Sequence, residues 1–224
     1  MKAKVIIIIS TLMLGFFLSD AFAATTTINP IIDNTIAEDF PDNSSGDCNS
    51  IFSGNTDGGF ARRALLQFDI AAAIPPGSTI NSVTLTMHVT RGGNHPDAVM
   101  TLHPVNLAWG EAAAGVTPNG CGTRGGGQGE PAVNGAATWL SAMHNQTLWS
   151  SPGGDFGTAS ASTFVNGTTP VWDSAAVGNG AMVSDVQDWL DNPATNYGWI
   201  LIGDEANSPT TRRFDSSASS SVPA

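Results

Sequence analysis

Residues 61–90 read ARRALLQFDIAAAIPPGSTINSVTLTMHVT, and the fold is decided here. Leu65, Leu66, Phe68 and Ile70 make a short, nearly continuous apolar run, the mark of a strand buried along most of its length. Pro75, Pro76 and Gly77 then end regular structure, because proline lacks an amide proton and glycine accepts positive φ. From Ile80 the pattern changes. Val83, Leu85, Met87 and Val89 alternate with Ser82, Thr84, Thr86 and His88, the period of two that a strand shows when one face lies in a core. Strand, breaker and strand at this spacing predict an antiparallel all-β chain.

Composition agrees with that reading. Charged residues make up only 12 % of the 224, so Ser, Thr, Asn and Gly replace charge at the surface, as in extracellular β-proteins. No repeat or linker divides the middle, and residues 24–224 read as one domain. Before them, Lys2 and Lys4 precede the apolar stretches 5–9 and 12–18, and Ala21-Phe22-Ala23 is a small-x-small site, so residues 1–23 read as an export leader cleaved after Ala23. The remainder has no lysine, and six arginines stand against eighteen acids. Such a surface repels phosphate backbones and anionic lipid, which makes nucleic acid and membrane surfaces poor partners and divalent cations better ones. Cys48 and Cys121 predict a disulfide in an exported chain, closing a loop of 74 residues and contributing roughly 4 kcal/mol in the chain-entropy model.

Along the chain, residues 25–38 read as an edge strand broken by Pro30. Glu38, Asp39, Asp42 and Asp47 crowd the next stretch, an oxygen-rich set that suits either Ca²⁺ or a solvated acidic loop. Arg62 and Arg63 read either as an anion site or, one or both of them, as ion-pair partners of neighbouring acids. His88, His95 and His103 fall on a long hairpin, either as surface residues or as a metal set. Residues 112–137 carry eight glycines and read as a surface excursion. Ser184 with Gln187 has the spacing of a capping box, which predicts one short helix over residues 184–190 with Val183, Val186, Trp189 and Leu190 on one face and Trp189 as its anchor. No hydrolase, zinc-protease or phosphate-loop motif occurs.

Several runs resemble the DNRLRE domain, a carbohydrate-binding-module-like β-sandwich of secreted proteins related to disaggregatase. They are Phe68-Asp69, Ile74-Pro75, Gly77 and Ile80, then Trp109-Gly110-Glu111, Thr138-Trp139, Trp149 with residues 152–156, residues 185–205, and Arg213-Phe214-Asp215-Ser216. The sequence departs at Ser217, Ala218 and Ser219, where the family has Arg, Glu and Asn, and the closing strand expected beyond Val222-Pro223 is absent. The resemblance implies a jelly-roll-like antiparallel β-sandwich and a noncatalytic extracellular module that binds carbohydrate or adheres to a surface or matrix. A structural subunit assembling through open β-edges is the alternative, and a polysaccharide-active enzyme a remote one. Some family members bind alginate, but the scarcity of Arg and Lys points here to a neutral glycan or a calcium-bridged contact. Trp149, Trp172 and Tyr197 are the candidate sugar-stacking rings, with core packing as the competing role.

Overall fold

The computed structural model describes residues 3–10, 23–92, 95–111 and 126–219. The first strands are β1 (Lys4–Ser10), β2 (Ala23–Ile28), β3 (Ile32–Ala37), β4 (Asn43–Ser44), β5 (Ser50–Asn55) and β6 (Ala61–Gln67). After the one-turn helix α1 (Ile70–Ala73) come β7 (Thr79–Thr86), β8 (Val89–Arg91), β9 (Ala98–Pro104), β10 (Glu130–Pro131), β11 (Ser141–Met143) and β12 (Thr147–Leu148). The chain continues through β13 (Ala161–Val165), β14 (Val171–Asp173), helix α2 (Ala181–Asp191), β15 (Trp199–Ile202) and β16 (Arg212–Asp215).

A four-stranded sheet, β14–β7–β1–β2, packs against an eight-stranded one, β13–β9–β15–β6–β5–β16–β8, with β3 also paired to β6. Neighbours run antiparallel, and the molecule is an all-β sandwich. Val83 and Leu85 of β7, Met100 and Leu102 of β9, Leu66 of β6 and Trp199 and Leu201 of β15 fill the space between the sheets. A second apolar cluster lies on the outer face of the larger sheet. There Leu65 and Ile200 meet Trp109, Trp139 and Trp149 from the segment that crosses over them. Both faces of β6 are therefore covered, which explains why Ala64, Leu65 and Leu66 are apolar in succession without alternation. Ala136 and Ala137, read as the end of a surface excursion, are fully buried under this cover.

Two local readings change. Phe68 is buried but lies beyond β6, and Asp69 caps α1 by accepting from the Ala72 amide at 3.1 Å. Helix α2 begins three residues before Ser184, after Gly180, with no side-chain cap. Its apolar face starts earlier than the capping-box reading allowed, because Met182 is buried with Val186, Trp189 and Leu190. Gln187 reaches across to the opening of β7, accepting from the Ile80 amide at 2.9 Å and donating to the Ser78 carbonyl at 3.1 Å. As expected, α2 plugs one end of the sandwich, with Trp189 against Trp199 at 4.7 Å between ring centres.

Residues 4–10, read as part of a leader lying outside the fold, form an interior strand. Ala3, Val5 and Ile7 are fully buried, and the rows Ile28–Val5–Leu85 and Thr26–Ile7–Val83 fix the register. A run of branched apolar residues satisfies a sheet as readily as an export apparatus. Residues 11–22 and the C-terminal Val222-Pro223 lie outside the described residues. Among the described residues no helix is long and apolar enough to cross a membrane.

Candidate functional site

Three neighbouring strands carry the site. The register sets Phe52 of β5 beside Arg213 of β16, and Arg213 beside Arg91 of β8, so two guanidinium groups and a ring form one row across the sheet. This row borders a cavity of about 200 Å³, closed further by His95, Thr211 and Asp57. Gly92, at φ +92°, lets the chain turn directly after Arg91, since a Cβ there would sit 2.4 Å from the Thr211 carbonyl oxygen. Gly127, at φ +69°, closes over the Phe52 ring, where a Cβ would come within 2.7 Å. Phe52 is consequently buried and forms an apolar wall.

The charge in this cavity is unusual for the chain. Arg62 pairs with Asp39 at 2.6 Å, Arg63 pairs with Glu205 at 2.7 Å, and the buried Arg212 donates to the Thr210 and Pro96 carbonyls. Among the described residues, Arg91 and Arg213 belong to no ion pair; Arg213 donates through Nε to Thr90 Oγ1 at 2.8 Å, which aims its guanidinium. His95 Nδ1 lies 3.0 Å from the Thr211 carbonyl oxygen, which holds the imidazole against β16. Of the lining side chains only Asp57 is acidic. Two unpaired guanidinium groups beside an imidazole, in a chain of net charge −11, make a local site for an anion. The planar fork of arginine matches the paired oxygens of a carboxylate or a phosphate.

The residues singled out from sequence lie elsewhere. Trp149 and Trp172 are 5 % and 0 % exposed, and their indole N–H groups donate to the Thr138 and Met100 carbonyls. Both rings pack in cores and neither offers a face to sugar. Tyr197 is half-buried against the outer cluster. In the acidic stretch Asp39 pairs with Arg62, Glu38 accepts from the Ala61 amide at 2.8 Å, and Asp42 and Asp47 are exposed. Among the described residues no three of His, Cys, Asp and Glu converge to hold a metal. The histidines are dispersed as well, His88 on Asp215 at 2.9 Å and His103 on the Gly157 carbonyl at 2.9 Å. Glu111, of the Trp109-Gly110-Glu111 run, accepts from the Asp33 amide at 3.1 Å, and burial pushes its carboxyl above the ordinary value. Cys48 is buried and no described cysteine is free, while Cys121 lies outside the described residues.

Sequence reasoning missed the arginine pair because Arg91 and Arg213 are far apart in the chain and meet only through strand register. A signal was nonetheless present. Arg62 and Arg63 already had acids assigned to them, which left Arg91, Arg124, Arg212 and Arg213 without a stated role.

Residues 24–119 match the family model of carbohydrate-binding module family 96. That span holds Phe52, Asp57, Arg91 and His95, and stops before Arg213. No curated protein matches the chain. The match supports a carbohydrate-binding-module-like domain, whereas the DNRLRE name and the relation to disaggregatase rest on the quoted sequence runs alone.

Proposed function

We propose that this chain is a noncatalytic extracellular module that binds an acidic polysaccharide of a surface or matrix, with Arg91 and Arg213 holding uronate carboxylates. The carrying observation is the row Phe52–Arg213–Arg91, which lines a cavity with two guanidinium groups that form no ion pair among the described residues and face one acid, Asp57. The match to a carbohydrate-binding family supports the ligand class. Clustering overrides scarcity: few arginines suffice when two of them face one cavity, and this replaces the neutral-glycan preference drawn from composition. Arginine stays charged at every physiological pH, so affinity should follow the ionisation of the glycan carboxylate and fall with salt.

The competing reading is a neutral glycan stacked on the sheet. Phe164 and Val99 face each other across β13 and β9 and are 55 % and 50 % exposed, which offers a flat apolar platform. Affinity electrophoresis through gels containing either a polyuronate or a neutral glucan separates the two. Retardation by polyuronate that disappears in Arg91→Gln/Arg213→Gln supports the cavity. Retardation by glucan that disappears only in Phe164→Ala supports the platform and refutes the cavity.

A further inference from the structure

We propose that the gap between β2 and β7 is a strand-acceptor site, which takes an extended segment with Val or Ile at alternate positions supplied by another polypeptide. The occupant seen in the full-length chain defines the chemistry. Lys4–Ser10 lies antiparallel to both neighbours, with Ile6 between Thr27 and Thr84 and Ile7 between Thr26 and Val83. Its inward residues Ala3, Val5 and Ile7 are fully buried in the main core.

Two further observations make this a site and not merely a strand. The first concerns β2. Its sole strand neighbour among the described residues is β1, and most of β2 is exposed, so little else holds it beside the sandwich. The second is the small-x-small run Ala21-Phe22-Ala23, expected from the sequence to be a processing site, which ends where β2 begins. Cleavage there removes the strand that joins β2 to β7. What remains is a gap one strand wide, with N–H and C=O groups on both walls and the inward faces of Ile28, Val83 and Leu85 as its floor. An incoming strand satisfies two backbone edges at once and fills the holes left by Val5 and Ile7, which is the physics of strand addition at its most favourable. Selectivity follows from the row geometry: alternate inward positions admit small or branched apolar side chains and reject charge.

The experiment uses the full chain with a protease site placed between residues 12 and 20. The folded protein is cut, and fragment exchange is followed with a fluorescent peptide carrying residues 3–10 and a solubilising tail. The expected result is that the native fragment remains bound after cutting and is displaced by the labelled peptide. The same peptide with Val5→Asp and Ile7→Asp should bind at least tenfold more weakly, and removing the fragment should lower the melting temperature. Dimers that form after its loss should dissolve when peptide is added. The uncut chain gives a second readout: Ile6→Cys with Thr84→Cys, a facing pair, should form a disulfide on oxidation. A fragment that leaves with no change in melting, a labelled peptide that does not bind, or an uncut double-cysteine chain that does not cross-link would overturn the proposal.

Discussion

Replacing Trp189 by alanine tests how the helix is held. Trp189 is 3 % exposed and stands edge-on to Trp199, whose ring in turn meets Phe68 with 6.2 Å between centres. Truncating a buried Trp to Ala costs about 3–5 kcal/mol, and an aromatic pair adds about 0.5–1.5 kcal/mol beyond area. Where a site falls in such a range depends on whether neighbours collapse into the void. Here the closest one is restrained, since Trp199 Nε1 donates to Asp185 at 2.7 Å and its backbone is fixed in β15. Relaxation is therefore limited and the upper half of the range is expected, about 4–5 kcal/mol. At about 2–4 °C per kcal/mol for a chain of this size, the melting temperature should fall by about 8–20 °C. Urea titration of both proteins gives the free energy directly, with an unchanged slope showing that the unfolded states match. A loss below about 1 kcal/mol would show that the helix is peripheral and refute its role as the plug of the sandwich.

Three further outcomes are expected. Asp39→Ala, which strands the buried Arg62 guanidinium, should cost about 1.5–3 kcal/mol, held to that level by the carbonyls of Ala61 and Gly126 that Arg62 keeps; a neutral effect in urea titration contradicts it. Burial raises the Asp185 carboxyl above its ordinary 3.8, so the folded state holds the proton more tightly than the unfolded one and this group's contribution is lost as pH rises from that value through the folded one. Asp185→Asn keeps an acceptor for Trp199 and should flatten that decline, whereas identical pH profiles would count against it. The Cys48–Cys121 pairing expected from the sequence predicts that the native protein shows no reactive thiols, and two thiols titrated without reductant would disprove the pairing.

The sequence was most legible where local pattern and burial coincide. The alternation after Ile80 became β7 with Ile80, Val83 and Leu85 inward, and Leu65 and Leu66 of the apolar run before Pro75 fell in β6, whereas Phe68 and Ile70 lie beyond it. Helix α2 was placed, though not its start, because Gln187 serves a distant strand and not its own N-terminus. Pairwise features were illegible for a physical reason. The row Phe52–Arg213–Arg91 depends on registers among strands that are distant in sequence, and no local spacing encodes it. Core packing, the competing role for the tryptophans, is the one seen for Trp149, although its cover comes from residues 136–149 folding back over the outer face of the sheet, which no local spacing encodes. The partners of the acidic stretch were not legible from its density, because Glu38 and Asp39 serve the Ala61 amide and Arg62 across the entry to β6.

The most direct test of the account is calorimetric titration of a polyuronate oligosaccharide, and of its carboxyl-reduced neutral counterpart, into the wild type and into Arg91→Gln, Arg213→Gln and Phe164→Ala. A charge-assisted hydrogen bond contributes about 1.5–3 kcal/mol, so each arginine change should weaken polyuronate binding by about 10- to 100-fold, with Phe164→Ala unchanged and the reduced oligosaccharide bound weakly by all four. Equal affinity for the charged and reduced forms, or polyuronate binding that survives both arginine changes, would contradict the assignment of the Arg91–Arg213 cavity as the carbohydrate site.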